Sequence, residues 1–287
     1  MNTQVVTTSL GPVEVSLAGP IGRAVVLIFP GGHCSAATPL GLDLYTDLGY
    51  RVVSFSRPGY GSTRVGSLMA AEFVPAVAEV CDGLGISEAA ATVGISFGGL
   101  QAMHVAATLR HLAPRLVLHS CAPSTLAYPD TRAEAAAGPV GFSPWTEGLT
   151  WRAIRGMTSC DRGLRLMMST LSTLPVRSWW PSWTPADRAS ARATFAAMGS
   201  GSGFVTDLRQ GSPGRSTYRQ TVLGSVSCPT LVTASRHDGG VRFEHAKDFV
   251  RTIPKTELFE TDAPSHFYWL GPSRAVLSHA IHDFAAQ

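Results

Sequence analysis

The sequence predicts an α/β protein built on a doubly wound, mostly parallel sheet. Two observations predict the sheet and a third divides it. Short strand-like runs such as residues 24–29 and 229–235 alternate with longer stretches of helical periodicity, the signature of βαβ units. One such run, residues 91–95, enters a sharp Gly-Ile-Ser-Phe-Gly-Gly turn around Ser96 that opens a helix. Between about residues 122 and 214 the strand-like runs stop, and short helical stretches separated by Pro and Gly take their place.

In order, residues 5–9 and 13–17 alternate in polarity around Gly11-Pro12, which predicts an opening antiparallel hairpin. Residues 24–29 are continuously apolar, as a strand buried on both faces of a sheet must be, and end in Pro30-Gly31-Gly32-His33-Cys34. A helix is expected over about 39–48, stopped by Gly49, then a strand over 51–55 leading into the turn-rich Ser56-Arg57-Pro58-Gly59-Tyr60-Gly61-Ser62-Thr63. A helix over about 69–84, the strand before Ser96, the helix after it and a strand over 115–120 follow. The inserted helical stretch carries five of the six tryptophans, which argues for an apolar layer lying against the core. Its Gly199-Ser200-Gly201-Ser202-Gly203 segment is expected to be a flexible loop or hinge. The sheet resumes at 229–235, followed by a helix over 244–252, a strand over 255–260 and a last helix over 272–285. The expected organisation is a core from 1–121 and 216–287 with a helical cap from 122–215.

Composition narrows the function. A net charge of +3, with no basic run interleaved with aromatics, argues against a nucleic-acid partner. The longest apolar run is far too short for a membrane span, and the N-terminus has no basic-then-apolar leader, so a cytoplasmic protein is expected. Five scattered cysteines without C-x-x-C spacing are expected to be buried reduced thiols. No metal-ligand spacing, P-loop or G-x-G-x-x-G order appears, so neither a metal nor a cofactor is expected.

The chemistry centres on Gly94-Ile95-Ser96-Phe97-Gly98. In a strand–turn–helix setting the turn is tight enough to strain the serine backbone, and the flanking glycines keep it free of clashes. The helix that follows aims its N-terminal N–H groups at the place where an oxyanion would form. A serine hydroxyl is a poor nucleophile at neutral pH and needs a base. His266, in the loop after the 255–260 strand, and Asp238, in the loop after the 229–235 strand, fall at the same sheet edge as Ser96. Glu260 and Asp262 compete with Asp238 as the acid. His33 either touches substrate or caps its loop, and His104, His111, His279 and His282 are expected to be surface or packing residues on helices.

At these residues the chain resembles the α/β-hydrolase fold family. The resemblance spans the Gly31-Gly32 loop, the Arg57–Ser62 loop, the elbow at Ser96, the acid loop at Asp238 with Val241 three residues on, and the histidine loop at His266-Phe267. It implies an eight-stranded, mostly parallel sheet with an inserted helical cap, and a Ser96–His266–Asp238 triad. It also implies an oxyanion hole from the N–H groups of Phe97 and Gly32. Two positions depart from the family pattern: Pro30 stands where many members have histidine, and Ser56 where many have aspartate. The serine excludes the epoxide hydrolases and haloalkane dehalogenases of this fold, which use a carboxylate at the elbow. An acyl-enzyme hydrolase remains, first of all a carboxylesterase acting on small to medium apolar esters. Trp269, Trp179, Trp180 and His33 are the candidate walls of an apolar acyl pocket. Lactone, thioester and carbon–carbon bond hydrolysis are alternatives, as is a non-catalytic small-ligand binding protein. Aminopeptidase activity is disfavoured because the insertion has no acidic cluster to clamp a peptide amino terminus. The partner is then a small molecule, and the chain a monomer or homodimer.

Overall fold

The computed structural model describes residues 2–130, 140–143 and 145–286. Ten residues of the insertion (131–139 and 144) lie outside the described part. The chain opens with the hairpin β1 (Asn2–Thr8) and β2 (Gly11–Ala18), then β3 (Val25–Phe29), α1 (Asp43–Asp47), β4 (Arg51–Phe55) and α2 (Ala70–Gly83). Next come β5 (Ala91–Ile95), α3 (Gly98–Thr108) and β6 (Leu116–His119). The helical insertion holds α4 (Glu147–Thr158), α5 (Asp161–Thr170), α6 (Val176–Trp179), α7 (Pro185–Ala197) and α8 (Gly203–Gly211). The core resumes with α9 (Ser216–Ser225), β7 (Thr230–Ser235), α10 (Phe243–Thr252), β8 (Thr256–Thr261) and α11 (Ser273–Ala286).

The eight strands form one sheet in the order β1-β2-β4-β3-β5-β6-β7-β8. β2 runs antiparallel to both β1 and β4, and the remaining pairs are parallel. β3 reads as an unbroken apolar run and its neighbours as mostly apolar runs that carry buried Ser54, Thr92, His119 and Thr233, because each face packs on its own layer. Leu27, Phe29, Val53, Phe55 and Leu118 point into one core with α2, α3 and α10, while Val26, Ile28, Val52, Val93 and Val117 point into the other. Burying each such side chain contributes about 1.5–3 kcal/mol. The parallel strands end together, and the loops after β3, β5, β7 and β8 converge at that edge.

Three local expectations change. α1 is five residues long rather than about ten. Gly41 takes φ +72°, a Cβ there would also strike the Trp269 side chain, and the helix starts only beyond it. The Gly199–Gly203 segment is fixed at several points: the Gly199 N–H donates to the His33 carbonyl, those of Ser200 and Gly201 donate to Glu147 Oε2, and Ser200 is fully buried. Of the cysteines, Cys34, Cys81 and Cys121 are buried, whereas Cys160 is exposed ahead of α5 and Cys228 is half-buried. Among the described residues no helix is long and apolar enough to cross a membrane.

Candidate active site

Ser96 sits between β5 and α3 with φ +52°, the left-handed region that an L-residue enters only under constraint. The constraint is visible around it. Its N–H donates to the His119 carbonyl of β6 at 3.0 Å, and the chain must turn at once into α3. A Cβ on Gly94 would stand 2.5 Å from Gly99 Cα, and one on Gly98 would overlap the Phe29 carbonyl. The two motif glycines are thus required by close packing of strand, turn and helix. Gly98→Ala is expected to destabilise the fold by about 3 kcal/mol or more, measured as a lowered denaturant midpoint with unchanged slope.

Asp238 follows β7 and is 5% exposed. Its Oδ1 accepts the N–H groups of Gly240 and Val241 at 2.7 and 2.9 Å, which fixes the carboxylate plane. Its Oδ2 faces His266 Nδ1 at 2.8 Å. Gly240 allows this approach, since a Cβ there would lie 2.9 Å from His266 Cγ. Burial works against the imidazolium. The charge and hydrogen bond of Asp238 outweigh it, so His266 holds its proton more tightly than an ordinary imidazole. The rival acids point elsewhere: Glu260 makes a two-pronged pair with Arg236 at the surface, and Asp262 is exposed. Ser96 and His266 line one cavity of about 420 Å³.

The glycine loop after β3 is held from behind by Arg57. Its Nε donates to the Pro30 carbonyl at 2.8 Å and its Nη2 to the Gly31 carbonyl at 2.9 Å. In a trans peptide the C=O and the following N–H point in opposite directions, so the N–H of Gly32 is turned away from the guanidinium. Gly32 itself lines the cavity, and Gly31 lies against Ser96, where a Cβ would come within 3.0 Å of the serine Cβ. Gly32 shares this cavity with Ser96 and Phe97, and a Cβ on it would lie 3.0 Å from the Phe97 ring. Pro30, the departure from the family pattern, serves through its carbonyl. Arg57 also forms a two-pronged pair with Asp207 of α8 at 2.5 and 2.8 Å, and Tyr60 donates its hydroxyl to Asp207 Oδ2 at 2.6 Å. Burial disfavours the guanidinium charge, but Asp207 outweighs it and keeps Arg57 protonated. At the second departure, Ser56 donates to Glu14 Oε1 at 2.6 Å and accepts the Ala36 N–H at 2.7 Å. Glu14 of β2 also accepts the Ser62 N–H, so the carboxylate absent from position 56 reaches the loop from another strand.

His33 lines the cavity, and its ring packs on Phe142 and Phe204 with centroids 4.4 and 4.1 Å away. Its Nδ1 meets Ser200 Oγ at 2.8 Å, and Trp151 Nε1 donates to the same oxygen. Burial, aided by the Arg57 charge, pushes its pKa down to about 3, so it is a neutral wall that also ties the glycine loop to the insertion. The other expected walls are elsewhere. Trp179, Trp180 and Trp183 pack together at centroid distances of 5.0–6.2 Å in the apolar layer that the insertion shares with the sheet. Trp269 stacks on Phe267 at 4.6 Å in the same layer. The described lining instead draws its apolar surface from Phe97, Tyr128, Pro129, Phe142, Leu171, Met198 and Phe204. Phe97 aside, these come from the insertion, scattered over some 80 positions with no local motif to mark them. Among the described residues no group of three or more His, Cys, Asp or Glu is placed to hold a metal ion.

Comparison with known proteins agrees with this architecture. A family model described as the alpha/beta hydrolase family matches residues 25–279. An uncharacterised hydrolase of Bacillus subtilis (strain 168), YcgS, is 27% identical over 286 residues, covering 98% of this chain and 97% of that protein. Among solved structures, an alpha/beta hydrolase fold protein from Nakamurella multipartita superposes with a TM-score of 0.82 at 22% identity, covering both chains completely. The enol-lactonase from Burkholderia xenovorans LB400 does so with a TM-score of 0.73 at 15% identity, over 99% of this chain and 100% of that one. With a family match running from β3 into α11, this chain belongs to the alpha/beta hydrolase family.

Proposed function

We propose that the chain is a serine hydrolase that cleaves small to medium, uncharged apolar esters through an acyl-enzyme, with Ser96 as nucleophile, His266 as general base and acid, and Asp238 as the group that orients the imidazole. The observation that carries this reading is a single cavity. It joins the strained Ser96, the Asp238-bound His266 and an aromatic wall with no Asp, Glu, Lys or Arg among its described lining residues. His266 takes the Ser96 proton as the oxygen attacks the acyl carbon, and Asp238 stabilises the resulting imidazolium. The N–H groups of Phe97 and Gly32 receive the oxyanion; each such donor is worth about 3–4 kcal/mol in the transition state. Protonated His266 then gives its proton to the leaving alkoxide, and water repeats the sequence on the acyl-enzyme. Residues 122–215 act as a cap that supplies the acyl-binding wall over a core from 1–121 and 216–287.

The cavity chemistry selects the substrate. A neutral aliphatic or aryl acyl group exchanges water for Phe97, Phe142, Phe204 and Met198. A carboxylate in the same place would meet no cationic side chain among the described lining residues. Across p-nitrophenyl esters from acetyl to dodecanoyl, kcat/KM is expected to peak at short to medium chain length. A hemisuccinate ester is expected to fall at least about 10-fold below the neutral ester of equal length. Turnover of a vinylogous diketone without ester hydrolysis would instead assign carbon–carbon cleavage, and ligand binding without turnover a binding protein.

The pH profile follows from the His266 shift. The base must be neutral to accept the serine proton, and its pKa is raised, so kcat/KM is expected to climb with pH through a midpoint above that of free imidazole. The β7 loop sets the Asp238 carboxylate against the imidazole, the elbow lines the same cavity with Ser96, and the insertion sets the Leu171 carbonyl on the backbone N–H of His266. In Asp238→Asn that midpoint is expected to fall below the parent value, with kcat reduced by about 10⁴.

A further inference from the structure

The linker between α5 and α6, residues 171–175, binds both loops that carry the acid and the base. The Leu171 carbonyl accepts the His266 N–H at 2.8 Å and the Gly239 N–H at 3.1 Å. One oxygen of the insertion thus bonds to the histidine itself and to the residue after Asp238. Ser172 pairs with Asp238 in an antiparallel bridge, and the Thr173 N–H donates to the His237 carbonyl at 3.0 Å. The Ser172 hydroxyl reaches the other loop, donating to the Pro264 carbonyl at 2.5 Å two residues before His266, while accepting the Leu174 N–H at 3.1 Å. Contact is close enough to need glycine, since a Cβ on Gly239 would stand 2.5 Å from the Ser172 nitrogen. Leu171 and Thr170 also line the cavity beside Ser96 and His266.

We propose that residues 171–174 hold the acid and base loops in register, with Ser172 as a positioning residue for the Asp238–His266 pair, so that the insertion and the catalytic geometry are coupled through this linker. The inference rests on the hydrolase reading above. Without the linker, the loops after β7 and β8 are joined by the Asp238–His266 contact and, at their base, by the Ser235 hydroxyl, which donates to the Ala263 carbonyl at 2.6 Å and accepts the His237 N–H at 3.0 Å. The linker adds five backbone and hydroxyl bonds to their peptide groups, the longest being that of the Thr173 hydroxyl to the Arg236 carbonyl at 3.5 Å. A catalytic imidazole misplaced by about 1 Å can cost about 100-fold in rate, whereas substrate binding to the apolar wall does not depend on that placement. Loss of one tether therefore slows chemistry more than it weakens binding.

The test measures phosphonylation of the full-length protein by a fluorophosphonate, following rate and final stoichiometry separately, together with kcat and KM on the best p-nitrophenyl ester. Ser172→Ala removes the bond to Pro264, Ser172→Thr keeps the hydroxyl, and Ser169→Ala removes an exposed hydroxyl of α5 as a control. Gly239→Ala disturbs the same contact from the other side. The expected result is parent-like stoichiometry in all four. Phosphonylation rate and kcat fall about 10-fold in Ser172→Ala with KM changed less than 2-fold, and recover in Ser172→Thr. Ser169→Ala matches the parent, and Gly239→Ala slows at least as much as Ser172→Ala. Parent-like rates in both Ser172→Ala and Gly239→Ala overturn the proposal while leaving the hydrolase reading intact. A parent protein that is folded but never labelled overturns that reading, and the inference with it.

Discussion

Ser96→Ala is expected to remain folded and to lose ester hydrolysis by about 10⁵–10⁶-fold in kcat. The serine Oγ is the atom proposed to bond to the acyl carbon, and no neighbouring hydroxyl on the cavity wall lies at the strained turn over a helix N-terminus. Stability should change by less than about 1 kcal/mol, because the substitution keeps the Cβ and leaves the N–H bond to His119 in place. The informative comparison is with His266→Ala and the double variant. Residues that act as a unit are non-additive, so the double variant is expected to be no slower than either single one within about 10-fold. Multiplicative losses in a kcat cycle, on protein shown folded by circular dichroism, would mean that the two side chains act independently.

Breaking the Arg57–Asp207 pair is expected to have the largest effect on stability. Both side chains are at most 5% exposed, so Asp207→Ala strands a guanidinium in the interior. A buried ion pair broken on one side typically costs about 3–5 kcal/mol. The double variant Arg57→Met with Asp207→Leu removes the charge together with its partner and is expected to regain most of that stability in denaturant unfolding. Activity should stay low, by about 100-fold in kcat, because the Pro30 and Gly31 carbonyls lose the donors that set the glycine loop. Full recovery of both stability and rate would show that Arg57 serves packing alone.

What was legible in the sequence follows from how locally each feature is determined. The β3 strand is buried on both faces, so its run is apolar without interruption, and Gly94 answers to Gly99 and Ala102 just beyond Ser96, whereas Gly98 answers to the Phe29 carbonyl of β3. The order of Ser96, Asp238 and His266 along the chain was readable because each follows a strand ending at one sheet edge. Long-range contacts were not. Asp207 reads as a solvated charge on an amphipathic helix until Arg57, 150 positions away, is placed against it. Trp179, Trp180 and Trp269 had the right chemistry for a cavity wall, but composition does not say which apolar surface faces the sheet and which faces the cavity. Phe142 and Phe204 hold the wall positions because the insertion folds them onto His33. The Gly199–Gly203 segment has a linker's composition, and its fixed conformation depends on Glu147 and His33. The short α1 has a similar origin: Gly41 takes φ +72° against the Trp269 side chain, more than 200 positions on, a contact the local pattern over 39–48 does not carry.

The proposed hydrolysis depends on activation of Ser96 by His266 in an accessible cavity. Incubation of the full-length protein with a fluorophosphonate, with the adduct located by peptide mass, reads that activation. One adduct per chain is expected on the peptide containing Ser96 in the parent, none in Ser96→Ala, and strongly slowed labelling in His266→Ala. A folded parent that stays unlabelled, or one labelled equally fast without His266, would contradict it.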